Sequence, residues 1–206
     1  CSMGRQMGVE FEMLTNSQIK ELHPYIETHD LEGGQWDALD GDIDPAQLTQ
    51  ALARGAKNEG AKIVRFCPVT GVKRHNDEWV ITTPKGKINC EFVVNAAGYR
   101  AAEVGKFFGR NVPCVSIAHQ YLITETIPEL EALSHKVPLV RDPDSSYYLR
   151  QEKNGLLLGP YEFKCRAHWV TDGDPMPDDF SFQLYNDDLE RLEWYIDDAC
   201  KRVPIL

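Results

Sequence analysis

The residues whose types and spacing could do chemistry lie in Cys90–Gly105, CEFVVNAAGYRAAEVG. Phe92-Val93-Val94 reads as a buried parallel strand. Ala96-Ala97-Gly98 removes side chains where the backbone must come close to something, and Arg100–Phe108 resumes helical spacing. A strand, a small-residue turn and a helix in this order aim backbone N–H groups outward, a common way to hold a phosphate. An ordinary strand-to-helix connection carries the same signature, so the surrounding sequence has to decide. The six cysteines (Cys1, Cys67, Cys90, Cys114, Cys165, Cys200) and six histidines (His23, His29, His75, His119, His135, His168) form no pair at metal-ligand spacing. No metal is indicated. The cysteines are expected to be reduced and mostly buried, packing as small apolar residues.

The elements that position this stretch can be read on either side of it. Thr15-Asn16-Ser17-Gln18 has the pattern of a capping box, and Ile19 and Leu22 follow at helical spacing before Pro24. Leu31–Asp42 suits extended strands or a hairpin. At Asp44-Pro45 a carboxylate caps free N–H groups and a proline occupies the first turn, so a helix is expected from there to Gly60, with Leu48, Ala51, Leu52, Gly55 and Ala56 on one face. Ala61–Phe66 reads as a strand following that helix. Val69–Arg74, Trp79–Thr83 and Lys87–Asn89, separated by the turn signals Asn76-Asp77 and Pro84-Lys85-Gly86, read as an antiparallel meander. Beyond Asn111 the strand-like runs are Val115–Thr124, Val137–Arg141, Ser146–Arg150 and Leu156–Pro160. Pro128–Leu133 is a short link, Gly173–Pro177 a Pro/Asp-rich loop and Asp187–Val203 a closing amphipathic helix. The first ten residues carry no start signal for any element. The sum is an α+β chain with a nucleotide-fold-like middle and a mixed sheet toward the C-terminus.

A formal charge of −10 in 206 residues, with the basic residues scattered, argues against a nucleic-acid partner. No apolar run approaches the roughly 20 residues that span a bilayer, and the N-terminus lacks a signal-peptide pattern. A cytoplasmic protein with no membrane partner is the expectation. Neither end reads as a natural terminus, so the chain is expected to be an internal fragment of something longer.

Several local patterns occur in order: GDIDPAQLTQALARGAKNEGAKI (41–63), CPVTGV (67–72), FVVNAAGYRAAEVG (92–105), HQYLITE (119–125) and SYYLRQEKNGLLLGPYE (146–162). Together they resemble the flavin-dependent dimethylglycine and sarcosine dehydrogenases, within the D-amino-acid-oxidase-like group. The resemblance implies a partial Rossmann-type FAD-binding domain plus a mixed-sheet substrate domain. Residues 1–40 would end an earlier substrate-domain segment, 41–110 would be part of the FAD-binding domain and 111–206 the substrate-binding domain. It implies FAD as cofactor of the full-length protein, a small methylated-amine substrate, and oxidative demethylation of dimethylglycine or sarcosine by hydride transfer. Tetrahydrofolate would be engaged only through a domain outside these residues. The GxGxxG fingerprint and the acidic ribose-binding residue about 20 positions later are not found in the 206 residues. The cofactor site is therefore expected to be incomplete and the fragment inactive alone, with self-association through its exposed apolar surfaces. The regulatory subunit of pyruvate dehydrogenase phosphatase resembles the same family, so a non-catalytic regulatory or binding chain is the alternative.

The resemblance implies FAD contacts at Val69 and at Ala96, Ala97 and Gly98, although Val69 also reads as core and Gly98 as a helix-start turn. It marks His119 and Tyr148 as the pair that would hold the amine and move its proton. His119 also reads as a half-buried strand histidine. Successive strand residues face opposite sides, so only one of Tyr147 and Tyr148 can enter a cavity, and Tyr148 is chosen. Arg141 and Arg150 could pair a substrate carboxylate, but surface ion pairing is the plainer role for each. Trp36, Trp79, Trp169 and Trp194 read as core or interface aromatics.

Overall fold

The computed structural model describes residues 2–170, 174–181 and 183–206. In chain order the elements are α1 (Ser2–Gln6), β1 (Glu12–Leu14), α2 (Asn16–Leu22), β2 (Gly34–Trp36), α3 (Pro45–Asn58), β3 (Gly71–His75), β4 (Glu78–Thr83), β5 (Gly86–Cys90), α4 (Ala101–Phe107), β6 (Ser116–Ala118), β7 (Leu122–Ile123), α5 (Pro128–Glu131), β8 (Val140–Asp142), β9 (Tyr147–Glu152), β10 (Gly155–Pro160), β11 (Arg166–His168) and α6 (Glu193–Arg202). They fall into two compact units. The first comprises Cys1–Ile43, His119–Cys165 and Phe182–Leu206; the second comprises Asp44–Ala118 and Arg166–Ser181.

The core belongs to the first unit. Its main sheet runs β7-β10-β9-β8, antiparallel throughout. In β9 burial alternates residue by residue: Tyr147, Leu149 and Gln151 point inward, while Tyr148, Arg150 and Glu152 point to the other face. Leu158 of β10 lies between Leu122 of β7 and Leu149 of β9, so three leucines cross the inner face in a row. Ile26, Ile127, Leu130, Val137, Ala199 and Val203 close over that face, the last two brought by α6 and its C-cap. Arg202 ties the end of α6 to the N-terminal region, donating from Nη1 to the Glu27 carbonyl at 2.7 Å and pairing with Asp30 at 2.6 Å. That guanidinium pulls the Asp30 carboxyl down to about 2.

Helix α2 starts as its sequence requires. The Thr15 hydroxyl accepts from the Gln18 N–H, and the Gln18 side chain accepts from the Thr15 N–H at 2.8 Å. It ends at His23, which is 3% exposed and whose Nδ1 has no hydrogen-bond partner among the described residues. Burial pushes this imidazole from its ordinary 6.5 down to about 4. The folded chain therefore holds His23 neutral, while the unfolded chain protonates it near 6.5. Stability should be full above that pH, fall as pH drops from about 6.5 to about 4, and level off below, a loss on the order of 3 kcal/mol. Urea midpoints at pH 7 and pH 4.5 check this: His23→Phe should remove most of the difference between them.

In the second unit, Asp44 caps α3 by accepting from the Gln47 N–H at 2.9 Å, with Pro45 next to it. Gly60, at φ +90°, ends that turn. β3, β4 and β5 form the expected antiparallel meander, with Asn76-Asp77 and Pro84-Lys85 as two-residue turns. A second small ladder pairs β6 with β11.

Two expectations fail here, and for the same reason. Ala61–Phe66 and Phe92–Asn95 join no ladder among the described residues, and Phe66, Phe92 and Val94 are each at least 84% exposed. An apolar run becomes a buried parallel strand only when neighbours pair both its edges and cover its faces. The apolar face of α3 is likewise open, and none of its residues is buried. Elsewhere, Ser2–Gln6 forms a short helix despite lacking a start signal. Only Gly34–Trp36 of the expected Leu31–Asp42 strands is formed, paired with β1. The closing helix is shorter than expected, a 3₁₀ turn at Leu189–Arg191 followed by α6. Of the expected loop at 173–177, Gly173 lies outside the described residues. The cysteines are not mostly buried: Cys114 and Cys200 are exposed and Cys67, Cys90 and Cys165 half-buried.

Candidate active site

His119 and Tyr148 both belong to the first unit and reach the pair of residues that follows β10, Tyr161-Glu162. Tyr147 and Tyr148 separate as alternation demands. Tyr147 is fully buried in the core, where burial raises its phenol well above the ordinary 10. Tyr148 lies on the opposite face of β9, directly across from Gly159 of β10. Its ring covers Gly159 so closely that a Cβ there would overlap ring and hydroxyl. Glycine is thus needed at 159 for close approach. The Tyr148 ring then meets that of Tyr161, centroids 5.7 Å apart and planes tilted by 52°. Leu157 of β10 and Ile123 of β7 share this face by register, giving an aromatic and apolar surface beside a phenol hydroxyl.

Arg150 stands two residues beyond Tyr148 on the same side of β9. Its guanidinium is already engaged, Nη1 lying 2.6 Å from Glu152 and 3.5 Å from Asp42. Lys136 donates to the same Asp42 carboxylate at 2.9 Å and holds it below the usual carboxylate range. Arg141 lies 3.9 Å from Asp40. A substrate carboxylate would have to compete with these partners at either arginine.

His119 lies between β6 and β7, and the strand expected across Val115–Thr124 is interrupted there. One long-range contact accounts for it. The Gln120 N–H donates to Glu162 Oε1 at 2.9 Å instead of to a neighbouring strand. The Gln120 side chain meanwhile clamps Asp188, donating to its carbonyl at 2.7 Å and accepting from its N–H at 2.8 Å. The His119 side chain stays 37% exposed, with Nδ1 3.9 Å from Glu162 Oε1. The Glu162 side chain is only 3% exposed, and its other oxygen lies 3.2 Å from Arg191, which also pairs with Asp188 at 3.0 Å. Sequence reasoning missed Glu162 and Arg191. The signal available was the charged residue ending the LGPYE run, whose partner lies 29 positions away.

Val69, Ala96, Ala97 and Gly98 all belong to the second unit. Val69 is 40% exposed, one residue before the Thr70 N–H donates to the Thr82 carbonyl. At the small-residue turn, Asn95 organises the backbone: its Oδ1 accepts from the Ala97 N–H and its Nδ2 donates to the Ala101 carbonyl at 2.9 Å. Gly98, at φ +56°, opens a 3₁₀ turn that leads into α4. Tyr99 and Arg100 are strapped by the loop at 174–181, through Tyr99 Oη to the Phe180 carbonyl at 3.3 Å and Arg100 to the Pro177 carbonyl.

The family model for FAD dependent oxidoreductases matches residues 2–206. The chain belongs to that family. It is 42% identical over 204 residues to the mitochondrial dimethylglycine dehydrogenase of Mus musculus, covering 97% of this chain and 23% of that protein. It is 36% identical over 211 residues to the mitochondrial sarcosine dehydrogenase of Homo sapiens, covering all of this chain and 22% of that one. The chain thus spans less than a quarter of the length of either relative. Among solved structures, L-proline dehydrogenase from P. horikoshii superposes with a TM-score of 0.75 at 24% identity, over 98% of this chain and 50% of that one. The fold is therefore the α+β fold of this oxidoreductase family. The family's cofactor can be tested against the turn at Ala96-Ala97-Gly98. Apart from its chain neighbours, no atom of the described residues lies within 4 Å of where a Gly98 Cβ would stand, and Ala96 is exposed, so the backbone of this turn is open to approach. A turn this bare of side chains leaves room for a flat ring or a sugar. The Gly-rich pyrophosphate fingerprint is not among these 206 residues.

Proposed function

We propose that this chain is part of a flavin-dependent oxidoreductase that oxidatively demethylates an N-methylglycine-type amine, dimethylglycine or sarcosine. The observations that support it most are the Tyr148 ring packed on Gly159 and Tyr161 along an aromatic and apolar sheet face, and the His119 imidazole 3.9 Å from the buried Glu162. FAD would be held along Val69, Ala96, Ala97 and Gly98, and when bound it would accept a hydride from the N-methyl carbon. The residues of this chain prepare the amine for that loss. An ammonium has no lone pair to give, so the exposed imidazole of His119 takes the amine proton. The Tyr148 hydroxyl orients the nitrogen, and the Tyr148, Tyr161 and Leu157 side chains limit water around it. Loss of hydride leaves an iminium, and addition of water across it releases formaldehyde and the demethylated amine.

Product analysis of the holoenzyme tests this reading. Dimethylglycine should give sarcosine and formaldehyde in equal amounts, with one two-electron equivalent passed to the acceptor per turnover. A holoenzyme that binds dimethylglycine and releases neither product would support the non-catalytic alternative instead.

A further inference from the structure

We propose that Glu162 is a positioning residue for His119, fixing its ring so that Nδ1 faces the protein and Nε2 faces the amine. The proposal rests on the amine-oxidising reading for the role of His119, but its geometry stands apart from it. The Glu162 side chain is only 3% exposed, and each of its oxygens has a charged or polar neighbour. One accepts from the Gln120 N–H at 2.9 Å and the other lies 3.2 Å from Arg191. Arg191 is itself braced by Asp188 at 3.0 Å, and Asp188 by the two Gln120 side-chain bonds. Burial and the Gln120 N–H bond hold the carboxylate in place. The oxygen that receives the Gln120 N–H is also the one 3.9 Å from His119 Nδ1. That gap is longer than a hydrogen bond, and the ring would turn toward Glu162 to close it.

The bond made by one imidazole nitrogen decides which nitrogen carries the proton. With Nδ1–H turned to Glu162, Nε2 keeps its lone pair and can accept the proton of an ammonium substrate. Without that carboxylate the ring is free to rotate and to carry its proton on Nε2, and the acceptor is lost from the substrate side. The Gln120 N–H links the two roles: the same contact that breaks the strand at His119 anchors the carboxylate that holds it.

Histidine-labelled chain examined by long-range proton–nitrogen correlation reads this directly, without flavin or turnover. At a pH where His119 is neutral, the native chain should show the Nδ1–H tautomer at this residue. Replacing Glu162→Met together with Arg191→Met removes both charges at once, so neither is left buried alone. In that variant His119 should return to the Nε2–H form that free imidazole prefers, with the other amide signals in place. An Nε2–H tautomer in the native chain would overturn the proposal whether or not the variant folds, as would Nδ1–H persisting in a folded double variant. Failure of the holoenzyme to oxidise amines would overturn the proposed function and leave the tautomer result intact.

Discussion

Replacing His119 with alanine should lower amine oxidation by the holoenzyme roughly 10²–10⁴-fold, the usual contribution of a placed proton acceptor, with bound flavin unchanged. The effect should fall mainly on kcat at neutral pH, because the ring prepares the nitrogen for the chemical step. It should shrink as pH rises and the amine loses its proton to solvent. The His119 side chain is 37% exposed and outside the hydrophobic core, so stability should change little. Tyr148→Phe is the companion variant. It keeps the ring over Gly159 and against Tyr161 but deletes the hydroxyl, and should cost about 10-fold, as for one hydrogen bond to a polar substrate group. Steady-state rates across pH, with flavin content measured on each preparation, separate these outcomes. Unchanged turnover in both variants would remove the pair from the site.

Leu158→Ala should destabilise the first unit by about 3 kcal/mol. Leu158 is completely buried on an inner strand of its sheet, with Leu122 and Leu149 beside it on the same face. Truncation removes the lost transfer energy and leaves a cavity that the ladders on both sides hold open. Leu52→Ala on α3 is the control: that side chain is 65% exposed, and surface replacements usually stay within about 0.5 kcal/mol. Urea unfolding of the two variants should differ several-fold in cost. Equal costs would contradict the placement of the core in the first unit.

Local signals in the sequence are legible because their physics is local. Thr15-Asn16-Ser17-Gln18 and Asp44-Pro45 cap helices through bonds that span three residues, and they do so in the structure. Turn residues at Asn76-Asp77 and Pro84-Lys85 likewise set the meander. Period-two alternation separates Tyr147 from Tyr148. What was not legible depends on partners distant in sequence. The runs at 61–66 and 92–95 have strand composition, but pairing is a property of neighbours, and the described residues supply none. The break at Gln120 could not be seen either, because a glutamate 42 positions later takes its N–H. Family resemblance supplied His119 and Tyr148, whereas Glu162 and Arg191 came into view only once β10 and the turn before α6 were placed.

The central claim is that Tyr148 and His119, both of the first unit, serve amine oxidation. Anaerobic mixing of the holoenzyme with dimethylglycine tests it most directly, by following the visible flavin absorbance. The account predicts full bleaching by dimethylglycine or sarcosine, slowed in His119→Ala without loss of flavin. An unbleached flavin with both amines, in a holoenzyme that still binds them, would contradict it.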